Sequence, residues 1–128
     1  MGNLSFKGEY SNGKTRVNVK VGVYIFTDDD TYIAYCPALD LSGYGNTEKE
    51  AKDSFVLSLS MYIEYCLNKN TLVKDLQKHG WGIKSMKQKK IKSPDVKSML
   101  ERLPDFREVL ENKNYTKYTE NVGIPMFV

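Results

Sequence analysis

The sequence predicts a mixed α/β (α+β) fold, a small antiparallel sheet of about three to four strands covered by one long helix, with a C-terminal helical and extended elaboration. Three observations carry this expectation. Val17, Val19, Val21, Val23 and Ile25 alternate with Asn18, Lys20, Gly22 and Tyr24, the period of a strand whose β-branched face packs on a core. Ala51, Phe55, Leu59, Tyr62, Ile63 and Cys66 recur at helical spacing, forming one stripe of a helix that runs to about Asn68. At 128 residues, 41% hydrophobic and 27% charged, the chain has the size and composition of one domain. Residues 1–86 read as the α/β unit, and residues 87–128 as a C-terminal extension to which the sequence assigns no role.

Ser11-Asn12-Gly13-Lys14 is a turn signal, which makes Leu4 to Tyr10 a candidate hairpin arm ahead of the valine strand. Asp28-Asp29-Asp30 forms the next turn, and Thr31 to Cys36 is a second strand that Pro37 ends by removing a backbone donor. The glycine-rich stretch Ser42 to Asn46 suits a brief third strand or a bend. Thr47-x-x-Glu50 is a capping box that opens the long helix. A short helix is expected from Leu72 to Lys78, stopped by Gly80 in a left-handed cap, with Trp81 to Met86 as a return strand. Lys87 to Lys92 is polar and basic. Ser93-Pro94 then supplies an N-cap and a first-turn proline, and Pro104 separates two helical pieces at Asp95 to Leu103 and Phe106 to Glu111. Tyr115 to Thr119 and Ile124 to Val128 read as extended.

Composition narrows the functional classes. No apolar run approaches the roughly 20 residues of a spanning helix, and the first residues lack a basic segment followed by an apolar one. A cytoplasmic chain without membrane association is the expectation. Cys36 and Cys66 lie inside apolar runs, as buried, reduced thiols do. The net charge of +3 does not by itself imply nucleic-acid binding. Its distribution is uneven, because residues 27–53 are predominantly acidic and residues 84–102 predominantly basic. Such a layout orients a charged partner, and is equally what two solvated charge runs would give.

Catalytic chemistry finds little to work with. His79 is the only histidine, and beside Gly80 it sits where an imidazolium complements a helix C-terminus. No second histidine or cysteine pair supplies metal-ligand spacing, so neither a metal nor another cofactor is expected. A Cys–His nucleophile pair would have to draw on a cysteine from a core-like pattern. Two-metal nuclease chemistry needs carboxylates converging on adjacent strands, and neither Val17 to Ile25 nor Thr31 to Cys36 carries one. The chain is therefore expected to bind rather than catalyse. Trp81, between two glycines, is a candidate anchor for a partner and, read the other way, a core residue under the helix.

The central block carries a resemblance. Tyr32-Ile33-Ala34-Tyr35-Cys36-Pro37-Ala38-Leu39-Asp40, followed by Gly43-Tyr44-Gly45-Asn46-Thr47-Glu48-Lys49-Glu50-Ala51, resembles the signature of the HicB-like antitoxins. The pattern there is a strand ending in a proline-leucine turn, then Gly-x-Gly-[Asp/Asn]-Thr-x-x-Glu-Ala opening a long helix. The matching positions are Tyr35, Pro37, Leu39, Gly43, Gly45, Thr47, Glu50 and Ala51, and the likeness covers roughly residues 17 to 68. It implies a truncated ribonuclease-H-like fold and a role in neutralising a small, basic, RNA-cleaving protein toxin of the HicA type by occlusion. An acidic surface built from Asp28, Asp29, Asp30 and Asp40 would suit that role. Turn chemistry alone also accounts for the aspartate run. Family members often carry a C-terminal helix-turn-helix or ribbon-helix-helix, and this chain departs from both: its best extended segment follows the helical pieces that a ribbon would precede, and Pro104 interrupts the recognition helix that a helix-turn-helix needs. Nucleic-acid contact is thus left open. A small sheet with unpaired edges also predicts a homo-oligomer. The alternative is an interaction or regulatory module that keeps the HicB-like fold and has no toxin.

Overall fold

The computed structural model describes residues 16–85 and 90–125. The alternating valines form β1 (Arg16–Asp28), which turns back into β2 (Thr31–Cys36). Asp29 and Asp30 hold φ of 50° and 67°, the paired left-handed conformation of the two-residue turns whose twist matches a hairpin. Cys36 is the last residue of β2, as Pro37 requires, and β3 (Leu41–Gly45) comes next. Then come α1 (Glu48–Lys69), α2 (Leu72–Lys78), β4 (Gly82–Ser85) and β5 (Lys90–Lys92). The described chain closes with α3 (Val96–Arg102), α4 (Pro104–Asn112) and β6 (Thr116–Pro125). The expected arm Leu4 to Tyr10, the turn Ser11 to Lys14, and residues 86–89 and 126–128 lie outside the described residues.

The fold is mixed α+β, with a four-stranded antiparallel sheet in the order β3-β2-β1-β6. Among the described residues strands β4 and β5 pair only with each other, so the return strand expected at Trp81 to Met86 is seen over Gly82–Ser85, in a separate ribbon. Strand β6 runs antiparallel to β1 from Ile25 opposite Thr116 to Arg16 opposite Pro125. Over the described residues, the two extended segments expected near the end are joined in the one strand Thr116–Pro125, because β1 offers a continuous ladder across the interval between them.

Both faces of the sheet are covered. Val21, Val23 and Ile25 share one face with Ala34 and Cys36, under the buried stripe Ala51, Phe55, Leu59, Ile63 and Cys66 of α1. On the opposite face Tyr24 pairs with Tyr35, and Phe106 of α4 meets both rings, at centroid distances of 5.1 and 6.4 Å. The expected sheet under a single long helix is thus corrected to a sheet between two helical layers. Residues 96–125 supply both the second layer and the fourth strand.

Local signals set the helix ends. Thr47 Oγ1 accepts from the Glu50 amide at 3.1 Å, and Glu50 Oε1 accepts from the Asn46 amide at 2.9 Å, one residue earlier than the reciprocal bond of an ideal capping box. After α2 the Trp81 amide donates to the Leu76 carbonyl and the Gly80 amide to the Gln77 carbonyl, with Gly80 at φ 91°, which is a Schellman motif. Helix α3 is capped by Asp95, whose Oδ1 accepts from the Ser98 amide at 2.8 Å, rather than by Ser93. A carboxylate is the stronger acceptor and adds a favourable charge at the positive end of the helix. Pro104 opens α4 at its first turn.

The close seat of α1 on β3 depends on Gly43. A Cβ there would overlap the Phe55 backbone nitrogen and the Ala51 carbonyl oxygen, so any side chain must lift the helix from the sheet. Gly22 differs, because the one overly close approach of a Cβ would be to the end of the Lys117 side chain, which can move. Gly43→Ala is expected to lower stability by about 2 kcal/mol or more, as overpacking against backbone does. Gly22→Ala should stay within about 0.5 kcal/mol of the parent. Urea unfolding followed by Trp81 fluorescence measures both.

Candidate functional site

Helix α4 covers the second face of the sheet only in part, and the uncovered part is a cleft of about 460 Å³. Strand periodicity lays its floor. Phe26 stands opposite Ile33, which stands opposite Tyr44, and Tyr35 stands opposite Ser42, so these side chains point to one face. Val109 of α4 forms the apolar wall, with Asp105 and Glu108 beside it. Asp28 at the end of β1, Asp40 between β2 and β3, and Lys113 after α4 complete the rim.

The cleft is electronegative. Four carboxylates line it against one ammonium, and Lys113 Nζ lies 3.8 Å from Asp28 Oδ1. Glu108 accepts from the Asn112 side-chain amide at 2.7 Å. The carboxylates of Asp40 and Asp105 have no hydrogen bond or ion pair among the described residues. Asp40 is held at φ 53°, a left-handed conformation that aspartate tolerates better than most residues. Between these acids lies the Tyr35 side chain, 6% exposed, whose hydroxyl is buried without a hydrogen-bond partner among the described residues. Burial raises the pKa of that hydroxyl well above the usual tyrosine value, and the charges of Asp40 and Asp105 act in the same direction. Tyr35 therefore remains a neutral phenol at physiological pH. Among the described residues no three His, Cys, Asp or Glu side chains stand close enough to share a metal ion. The cleft presents its carboxylates separately, around one concave face.

Two of the sequence candidates, Asp28 and Asp40, meet in this cleft. Asp29 and Asp30 do not. They are exposed in the hairpin turn, where their left-handed backbone is what the turn demands. Trp81 is removed from any partner surface, being 3% exposed with its indole N–H donating to the Ala38 carbonyl at 2.7 Å. Of the motif positions, Tyr35 lines the cleft, while Pro37, Leu39 and Ala51 are buried. Gly43 and Gly45 accommodate α1, and Thr47 and Glu50 cap it. His79 is used locally, its Nδ1 lying 2.8 Å from the Asp75 carbonyl oxygen, while the Tyr62 hydroxyl donates to the Asp75 carboxylate. Burial pushes the Cys36 thiol up to about 12, which suppresses the thiolate a nucleophile would need.

Sequence reading missed Asp105, Glu108, Tyr44 and Lys113. The available signal was the amphipathic pattern of Phe106, Val109 and Leu110, which leaves Asp105 and Glu108 flanking the buried stripe. Compared with family models, curated proteins and solved structures, the chain finds no match. Among the described residues no helix is long and apolar enough to cross a membrane.

Removing the unpaired hydroxyl tests the electrostatics of the site. Tyr35→Phe is expected to leave stability at neutral pH unchanged or to raise it by about 1 kcal/mol, since a buried polar group without a partner is lost. The folded-state pKa of Tyr35 lies above its unfolded value, so its contribution is fully present below about pH 10 and is lost as pH rises beyond that. The parent should consequently lose about 1 kcal/mol more than Tyr35→Phe between about pH 9 and pH 11. Urea titrations of both proteins across that window read the difference.

Proposed function

We propose that this chain is a HicB-like, antitoxin-type binding protein that neutralises a small, basic, RNA-cleaving toxin by masking its active surface. The acidic cleft carries the reading, because it gathers Asp28, Asp40, Asp105 and Glu108 from distant parts of the chain onto one concave face. An RNA-cleaving protein must present positive charge to its substrate, and a concave negative surface competes for that charge. Long-range attraction speeds the encounter, while contacts desolvated inside the cleft set the residence time.

The motif running from Tyr32 through Ala51 supports the same reading. Its positions occupy the β2-β3-α1 unit, in which two antiparallel strands lead into a capped helix laid over them. A truncated ribonuclease-H-like arrangement is the finer fold assignment that belongs to this proposal. Binding rather than catalysis fits the local use of His79 and the suppressed thiolate at Cys36. Residues 96–125 are spent on finishing the sheet and its second layer, so repression of an operon through a separate C-terminal DNA-binding unit forms no part of the proposal.

The test is a pull-down of the tagged protein from native-host lysate at moderate salt, with RNA cleavage assayed on whatever denaturation and refolding release. The expected result is a near-stoichiometric small basic protein that cleaves RNA only when freed. Asp40→Asn with Asp105→Asn should reduce its retention, and the remainder should be lost sooner as salt rises. If the protein elutes alone or as a homo-oligomer, while a control antitoxin retains its toxin from the same lysate, the inhibitor reading gives way to a module that acts without a toxin.

A further inference from the structure

We infer that the cleft is a receptor for a guanidinium group, and that one arginine side chain of the basic partner enters it. The source of the arginine rests on the proposed function. The pocket itself rests on geometry.

Three features select the ligand. The carboxylates are too dispersed to share a metal ion, yet they surround a space of about 460 Å³, enough for the head and stem of a long side chain. The floor offers the ring of Phe26 and the phenol of Tyr35, and Tyr44, 58% exposed, stands at the rim. A guanidinium is planar, stacks on aromatic rings, and is more weakly hydrated than an ammonium. It therefore loses less on entering a cleft whose floor is apolar. Its five N–H donors also reach several acceptors at once, which a compact ammonium does less well.

The buried hydroxyl of Tyr35 gives the site its polarity at depth. The oxygen is enclosed in the unbound chain, so an entering guanidinium must displace its cover before that oxygen accepts an N–H and its proton turns to Asp40 or Asp105, whose charges both act on the hydroxyl. An otherwise unpaired group would thereby gain both of its bonds when the ligand binds. The same change converts two acids without partners among the described residues into partners of a cation. Lys113 holds the far side of the rim against Asp28, leaving Asp40, Asp105 and Glu108 to face the ligand.

The experiment titrates the intact protein at low salt with the N-acetyl amides of arginine, lysine and citrulline, using calorimetry and backbone amide shifts. Arginine amide should bind tightest and shift the amides of residues around Tyr35, Asp40 and Asp105. Lysine amide should bind more weakly, and citrulline amide, isosteric but neutral, not measurably. Asp40→Asn and Asp105→Asn should each weaken arginine binding about fivefold. Tyr35→Phe should weaken it while retaining full stability, and Asp30→Asn in the hairpin turn should leave it unchanged. Equal binding of arginine and citrulline amides, tighter binding of lysine amide, no binding of any, or indifference to the Asp40 and Asp105 variants overturns the inference. Arginine binding in the cleft without capture of a toxin would keep the pocket and remove the inhibitor reading. Capture of an RNA-cleaving toxin that survives loss of Asp40 and Asp105 would keep the inhibitor reading and remove the pocket.

Discussion

From Val23 to Phe26 strand β1 buries both of its faces, and most of the architecture answers that demand. Its odd-numbered residues from Val21 to Ile25 lie under α1, whose Phe55, Leu59 and Ile63 are almost wholly enclosed. Full burial of such a side chain contributes roughly 1.5 to 3 kcal/mol. The even-numbered Tyr24 and Phe26 are buried as well, which a strand with one solvated face would not allow. Phe106 and Val109 of α4 supply the missing layer, and β6 pairs along the edge that β2 leaves open. Residues 96–125 are therefore an integral part of the core that β1 organises.

The cleft arises where this second layer falls short. Helix α4 is brief, and it covers the Tyr24–Tyr35 row while leaving Phe26, Ile33 and Tyr44 at its margin. Asp105 and Glu108 on α4 then stand across a gap from Asp40, and the Tyr35 hydroxyl lies between the layers without a bond among the described residues. Electrostatic character follows from packing geometry here, because none of these acids is close to the others along the chain except Asp105 and Glu108.

Much of the first layer was legible in the sequence because its signals are local. The valine alternation, the Pro37 stop, the Thr47 and Glu50 cap and the Gly80 terminator each act within a few residues, and each appears where expected. The second layer was obscure for the opposite reason. Alternation in β1 marks Tyr24 as the solvent side unless something covers it, and nothing within the strand announces Phe106. Ser93 and Asp95 both offer cap oxygens two residues apart, and only the placement of the α3 backbone decides between them. For the site, Asp28 and Asp40 could be named from local chemistry. Asp105 and Glu108 could not, since the face they occupy depends on which sheet surface α4 meets.

The pairing of β1 with β6 also imposes an order on folding. Ile25 must find Thr116, and Val17 must find Ile124, across nearly the whole described chain. Loop closure of that span is slow compared with forming the β1–β2 hairpin or α1. During synthesis the hairpin and the first helix can assemble while one face of β1 remains exposed, and the acidic cleft does not yet exist. Its α4 wall arrives only with the segment that completes the sheet. Competence to engage a cation in that cleft is consequently a property of the finished core, and a chain that stops before α4 lacks the receptor even with every motif residue from Tyr35 to Ala51 in place.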